Sequence, residues 1–231
     1  MYRIIVYGEQ NELKNTALMC EAFLREKNIA GSVSVTSQAE KLLLLGKREG
    51  ERIGLLLLDA DGNGMKLASQ LREKHPALSI VLYSADMSKA FEGYHLQASG
   101  FLPKPLVQER LLETLQRDYE TRFLKNNLIA GEETIRLQHI RYLEIAGKKV
   151  AVHLDNGEEI YLNGKLDDIA QRLPSDGGKN RFVRCHQSYL VNLRHVESMQ
   201  RYLLIFADGE DLPVSKAYTK EVQQAFFEYE K

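Results

Sequence analysis

Four short segments of the N-terminal half carry the residue types that phosphoryl chemistry uses. Gly8-Glu9, Asp59-Ala60-Asp61, Ser84-Ala85 and Pro103-Lys104-Pro105 each follow directly on an apolar run of strand length. If those runs share one parallel sheet, the positions just past their carboxyl ends converge, which is where open α/β sheets bind their ligands. Convergence would gather carboxylates able to hold a Mg²⁺ ion, a hydroxyl, and a lysine able to pair with a phosphoryl oxygen. A second concentration of chemistry lies in the C-terminal half. From Lys179 to Arg201 five basic residues (Lys179, Arg181, Arg184, Arg194, Arg201) stand against one acid, Glu197. Within that stretch His186, Gln187, Ser188 and Tyr189 are short or planar donors and acceptors, suited to reach phosphates and base edges from a loop.

The elements that must present these residues follow from periodicity. Up to about Tyr119, short apolar runs at 3–6, 31–35, 53–58, 79–83 and 100–102 alternate with amphipathic stretches. This is the βαβ rhythm of a parallel sheet covered on both faces. The stretch 12–27 places Leu13, Ala17, Cys20 and Leu24 on one helical face, 64–74 does so with Leu67 and Leu71, and a last helix is expected over 106–119. Residues 121–133 are polar and read as a linker. Beyond it the rhythm changes to a meander of strands at 140–145, 150–154 and 159–162, a short helix at 166–173, and strands at 181–184, 196–199 and 202–206. The expected fold class is an α/β doubly wound, parallel five-stranded sheet followed by a mostly-β domain. The expected boundaries are a first domain over 1–120, a linker over 121–130 and a second domain over 131–231.

Composition bounds what either half can do. The 231 residues are 44% hydrophobic and 27% charged, enough to build real cores, which excludes wholesale disorder. Lys and Arg number 31 against 32 acids, so binding to nucleic acid has to come from a local patch rather than a global field. Cys20 and Cys185 match no metal spacing, and His186 and His195 lack a fourth ligand beside them. The longest unbroken apolar run, 55–58, is far short of the roughly 18 residues of a spanning helix, and no secretory signal is visible. A cytoplasmic protein with no membrane contact is expected.

Residues 1–119 resemble the receiver domain of bacterial response regulators, a flavodoxin-like fold. The resemblance rests on Leu55-Leu56-Leu57-Leu58-Asp59, on Val81-Leu82-Tyr83-Ser84-Ala85 and on Gly100-Phe101-Leu102-Pro103-Lys104-Pro105. It implies Asp59 as phosphoacceptor, Glu9 as metal ligand, Ser84 as the hydroxyl that senses the phosphoryl group, Lys104 as its charge partner, and Phe101 as the aromatic that changes rotamer. Two departures fall on the chemistry. Gly8 stands where receivers carry the first of two adjacent acids, leaving Glu9 alone to draw a metal. The loop after Asp59 reaches its helix about three residues early, with Asp61 as a substitute ligand, so the expected metal set is Glu9, Asp59 and Asp61. Two readings stay open, a working acceptor that uses Mg²⁺ and a sensor histidine kinase, or a receiver fold kept for dimerisation.

Phe182, Arg184, His186, Ser188, Val191 and Asn192 match the signature of the LytTR DNA-binding domain, with support from Ile140-Arg141-Tyr142-Leu143-Glu144 and from the segment Leu212-Pro213-Val214-Ser215-Lys216-Ala217-Tyr218. The resemblance covers about 129–228. It implies an elongated β module whose loops enter successive major grooves, binding direct repeats in promoters as a dimer. His186, Gln187 and Tyr189 would lie on the middle DNA-facing loop with Arg184 in the same run, Lys148 and Lys149 on the first, and Lys216 on the last. Lys216 stands where the family commonly has Arg, and an ammonium reads guanine less well than a bidentate guanidinium. Ser188, Val191 and Asn192 are expected to serve packing and turn formation. The combined expectation is a non-enzymatic, DNA-binding response regulator, a homodimer, with Asp59 as the site of any phosphorylation. The rival is a phosphorylation-independent receiver whose β domain binds a protein partner. An Asp59-dependent phosphatase lacks a second lysine-bearing domain or cap.

Overall fold

Five apolar runs pair side by side in a parallel sheet of order β2-β1-β3-β4-β5. They are β1 (Tyr2–Tyr7), β2 (Gly31–Thr36), β3 (Leu55–Asp59), β4 (Ile80–Ser84) and β5 (Gly100–Pro103). The computed structural model describes residues 1–131, 133–173 and 182–229. Every residue of β3 and β4 is buried, as expected of central strands covered on both faces, and this is why they read as unbroken rather than alternating runs. Register sets Asp59 beside Tyr83 and Ser84 beside Pro103, so the strand ends line up along one edge.

Five helices connect the strands, α1 (Gln10–Glu26), α2 (Ala39–Leu43), α3 (Lys47–Glu51), α4 (Gly64–Lys74) and α5 (Lys89–His95), and α6 (Gln108–Asp118) follows β5. α1 buries Leu13, Thr16, Cys20, Phe23 and Leu24, one stripe at helical spacing, and packs beside α6. α4 buries Leu67, Ala68 and Leu71 against Ile5, Leu56 and Leu58 of the sheet, with α2 and α5 alongside. α6 runs on into a π-helical turn, Tyr119–Phe123, whose rings meet Tyr2 edge-on. The strands and the long helices lie within two residues of the expected ranges.

The chain divides into two compact units, Met1–Phe123 and Leu124–Lys231. The second opens with a short helix, α7 (Leu124–Asn126), and a hairpin of β6 (Asn127–Ala130) and β7 (Glu133–Arg136), where sequence had suggested a linker. The polar composition hid the reason, which is that Leu128 and Ile135 pair across the hairpin and are buried. A five-stranded antiparallel sheet of order β10-β9-β8-β12-β11 follows. Its strands are β8 (Ile140–Ala146), β9 (Lys149–Leu154), β10 (Glu159–Asn163), β11 (Phe182–His186) and β12 (Tyr189–Asn192), with α8 (Leu166–Ala170) after β10. A three-stranded sheet of β13 (Val196–Gln200), β14 (Leu203–Phe206) and β15 (Asp211–Pro213) precedes α9 (Thr219–Tyr229).

Period-two alternation gives the five-stranded sheet two apolar faces. Leu143, Val152 and Leu190 join the hairpin and α8 in one core, while Tyr142, Val183 and Val191 join Phe206, Val222 and Phe226 in another. The expected strand over 181–184 begins outside the described residues, as do Lys179 and Arg181 of the basic stretch. β12, β15 and α9 were not expected from sequence.

Candidate acceptor pocket and nucleic-acid interface

The residues that follow β1, β3, β4 and β5 meet at the carboxyl edge of the parallel sheet. Asp59 is only 3% exposed. Its Oδ2 lies 2.7 Å from Lys104 Nζ, and its Oδ1 accepts the Asp61 N–H at 2.9 Å. Lys104 also reaches Glu12 at 2.9 Å and Asp61 at 3.2 Å. Asp61 accepts the Ser84 hydroxyl, the Lys89 ammonium at 2.9 Å and the Ala85 N–H at 3.2 Å. Lys89 donates further to the Ala60 carbonyl at 3.0 Å. Three carboxylates and two ammonium groups therefore form one network.

The network sets the protonation of its members. Burial alone would raise Asp61, but hydrogen bonds from Ser84, Lys89, Ala85 and Lys104 outweigh it and hold the carboxyl well below its ordinary range. For Lys104, burial acts downward and is outweighed by hydrogen bonds to Asp59, Glu12 and Asp61, which keep the ammonium charged. Burial and the Asp59 charge push the Tyr83 phenol up.

Asp59, Asp61, Ser84 and Lys104 come together, and Phe101 sits half-buried against the apolar core below them. Glu9 stays out: it caps the start of α1 on the surface, and Glu12, one turn further, is the acid that α1 turns toward the pocket. The pocket also includes Lys89 and Tyr83, which sequence reasoning missed. A Cβ at position 8 would lie 2.4 Å from the Tyr83 hydroxyl and 3.3 Å from Asp59 Cβ, so the phenol fills the space beside Asp59 that a side chain at position 8 would need. The early helix start has a local cause as well: a Cβ at Gly64 would lie 1.8 Å from the Asp59 carbonyl oxygen, so only glycine lets α4 begin there.

The expected metal set of Glu9, Asp59 and Asp61 is not gathered, because Glu9 faces solvent while Asp59 and Asp61 are engaged by lysines. Among the described residues no group of three or more His, Cys, Asp or Glu is disposed to hold a metal ion. A divalent cation such as Mg²⁺ does not fit the pocket as built.

In the second unit, register brings several turns to one end of the antiparallel sheet. Lys148 and Lys149 follow β8, exposed. β12 runs back along β8 with Tyr189 opposite Glu144, and Ile145 N–H bonds the Ser188 carbonyl at 3.0 Å, so Gln187 and Ser188 lie at that same end. Ser215 N–H bonds the Cys185 carbonyl at 2.9 Å, which brings the loop with exposed Lys216 there. β10 pairs Asn163 with Lys149, adding exposed Lys165, a residue whose place depends on strand register and which sequence did not single out. The opposite end carries Asp155, Asp208 and Glu210, the last two paired with Arg141.

Arg184 is turned inward. Its guanidinium donates to the His186 carbonyl at 2.9 Å and the Gln187 carbonyl at 2.6 Å and pairs with Asp167 at 2.8 Å, so it shapes the middle turn. His186 Nδ1 accepts the Ser188 N–H at 3.1 Å, and Tyr189 donates to Glu144 at 3.0 Å. Gln187 is the exposed tip. Val191 and Asn192 are wholly buried, and Asn192 bonds the carbonyls of Leu137 and Ile140 at 3.1 and 2.7 Å. Among the described residues no helix is long and apolar enough to cross a membrane.

Comparison with known proteins matches two family models to the chain, the response regulator receiver domain over residues 12–116 and the LytTr DNA-binding domain over 132–227. The sensory transduction protein LytT of Bacillus subtilis is 28% identical over 194 residues, covering 74% of this chain and 78% of that protein. A Bacillus cereus protein of the same name is 24% identical over 249 residues, 97% of this chain and 98% of its own. The accessory gene regulator protein A of Staphylococcus epidermidis is 27% identical over 184 residues, 71% of this chain and 74% of its own.

Proposed function

The chain belongs to the response regulators that join a receiver domain to a LytTR DNA-binding domain, and on that premise we propose that it is a sequence-specific transcription regulator. It reads promoter DNA through the cationic end of its second unit and dimerises through its receiver. The observation that carries this reading is the convergence of Lys148 and Lys149, Gln187, Lys165 and Lys216 from separate turns onto one end of the antiparallel sheet. Turns, not a recognition helix, enter the grooves. Lys148, Lys149 and Lys216 neutralise phosphates, Gln187 presents an amide to base edges, and Arg184, His186 and Tyr189 hold the middle turn in shape.

A homodimer places two such modules on direct repeats, and tethering raises the effective concentration of the second, so modest affinity per module suffices. Support for a second copy on the receiver comes from α5, where Phe91 and Tyr94 are 71% and 79% exposed beside Met87 at 58%. A sensor histidine kinase enters only with phosphorylation of Asp59. In this reading the chain is a cytoplasmic binding protein rather than an enzyme.

Selection of the full chain against a random duplex library, followed by footprinting, tests the proposal. A direct repeat should be enriched and protected, and Lys216→Ala or His186→Ala should lose it. If no sequence is enriched and retention is insensitive to salt, the β domain binds a protein partner instead.

A further inference from the structure

The receiver pocket is lined by oxygens that already have donors. Both oxygens of Asp61 are engaged, Oδ1 by Ser84 and Lys89 and Oδ2 by Ala85 and Lys104. Both oxygens of Asp59 are engaged as well, by Lys104 and the Asp61 N–H. The Ala60 carbonyl, an oxygen that a cation between these acids would use, accepts from Lys89. Position 8 supplies no acid and has no room for one beside the Tyr83 hydroxyl. Mg²⁺ demands near-octahedral oxygen ligands at about 2.0–2.1 Å, and two ammonium groups on the same carboxylates oppose it by charge and by volume.

We propose that Lys89 is the pocket's own counter-cation, its ammonium on Asp61 and the Ala60 carbonyl taking the place of a divalent ion, so that the receiver works without Mg²⁺. The proposal rests on the receiver reading above and goes beyond it. Lys89 is the first residue of α5, the helix that exposes Phe91 and Tyr94. The ion pair therefore tethers the N-terminus of that helix to the segment just past β3 with no phosphoryl group in the pocket. Lys89 acts as a positioning residue, through Asp61 and through the placement of α5.

The test is calorimetric titration of the full chain with Mg²⁺ across the millimolar range, for the wild type, Lys89→Met and Lys89→Met/Asp61→Asn. The wild type should show no saturable uptake. Lys89→Met, which keeps the apolar stem of a partly exposed side chain, should gain affinity by about tenfold or more, and Asp61→Asn should remove the gain. Millimolar or tighter uptake by the wild type overturns the proposal, and so does a Lys89→Met variant as silent as the wild type. Incubation with acetyl phosphate, read by intact mass, gives a second measurement: a Mg²⁺-dependent phosphoryl adduct on the wild type that Asp59→Asn abolishes also overturns it. Duplex binding by the same preparations in a chelator should match that in Mg²⁺. Loss of all duplex binding would count against the functional reading and leave the metal result standing.

Discussion

Replacing Gly8 with alanine adds one methyl group, 2.4 Å from the Tyr83 hydroxyl, with Asp59 Cβ at 3.3 Å and Asp59 Oδ2 at 3.6 Å as the next neighbours. Ordinary contact requires the phenol to retreat by roughly 1 Å, and Tyr83 is fully buried in a packed strand, so the expected cost is that of overpacking, about 1–3 kcal/mol. Tyr83→Phe alone forfeits the hydroxyl's bond to the Tyr7 carbonyl at 3.2 Å, about 0.5–1.5 kcal/mol. In the double variant the nearest atom is Asp59 Cβ at 3.3 Å, a contact that small adjustments relieve. The two changes should therefore cost less together than separately, by about 1–2 kcal/mol. Native-state hydrogen exchange on β1 and β4 peptides reads the receiver without interference from the second unit. Additivity within about 0.5 kcal/mol, or a Gly8→Ala variant as stable as wild type, would refute the idea that the phenol occupies the missing acid's place.

The other expectations concern both units. Lys148→Ala and Lys216→Ala should each make the slope of log affinity against log salt shallower by about 0.9, measured by fluorescence anisotropy on a selected duplex. Arg184→Ala should weaken the same binding without changing that slope, because its guanidinium braces the Gln187 turn rather than a phosphate; a reduced slope would reassign it to the DNA. Asn192→Ala strands two buried carbonyls, Leu137 and Ile140, and should cost about 2–3 kcal/mol in urea unfolding of the second unit. Acid should weaken the receiver through Asp61. Its folded carboxyl titrates below the ordinary value of 3.8, so its contribution is present above that pH and is lost as pH falls through the folded value. Asp61→Asn should flatten this part of the pH profile.

The parallel sheet was legible because its central strands are buried runs that stay apolar up to their last residue, and Asp59 and Ser84 because they end those strands. What sequence could not supply was reach. Glu9 looked like the metal ligand because it follows β1 directly, yet the first turn of α1 points Glu12 at Lys104 instead. Lys89 lies five residues past the strand that ends in Ser84, and its place on Asp61 depends on how the start of α5 folds back. In the second unit the hairpin of β6 and β7 hid in a polar segment because Leu128 and Ile135 are its only buried apolar residues among those described. For α9 a signal existed: Val222 and Phe226, four apart, are its buried stripe, but the β rhythm around it drew the reading away. The turns that carry Lys148, Gln187 and Lys216 follow from local sequence, while their meeting at one end with Lys165 depends on strand register, which no local pattern encodes.

A tethered cleavage experiment tests the central claim most directly. Cys20 and Cys185 are buried, and burial pushes each thiol up to about 12, so a single introduced cysteine can be labelled selectively with an iron chelate. Lys148→Cys places the chelate at the cationic end of β9 and Asn156→Cys at the other, about 20 Å away along the strand. Bound to a selected direct-repeat duplex, the protein labelled at position 148 should cut the DNA within the repeat, and the one labelled at 156 should not. Equal cutting from both positions, or cutting from 156 alone, would contradict the proposed interface.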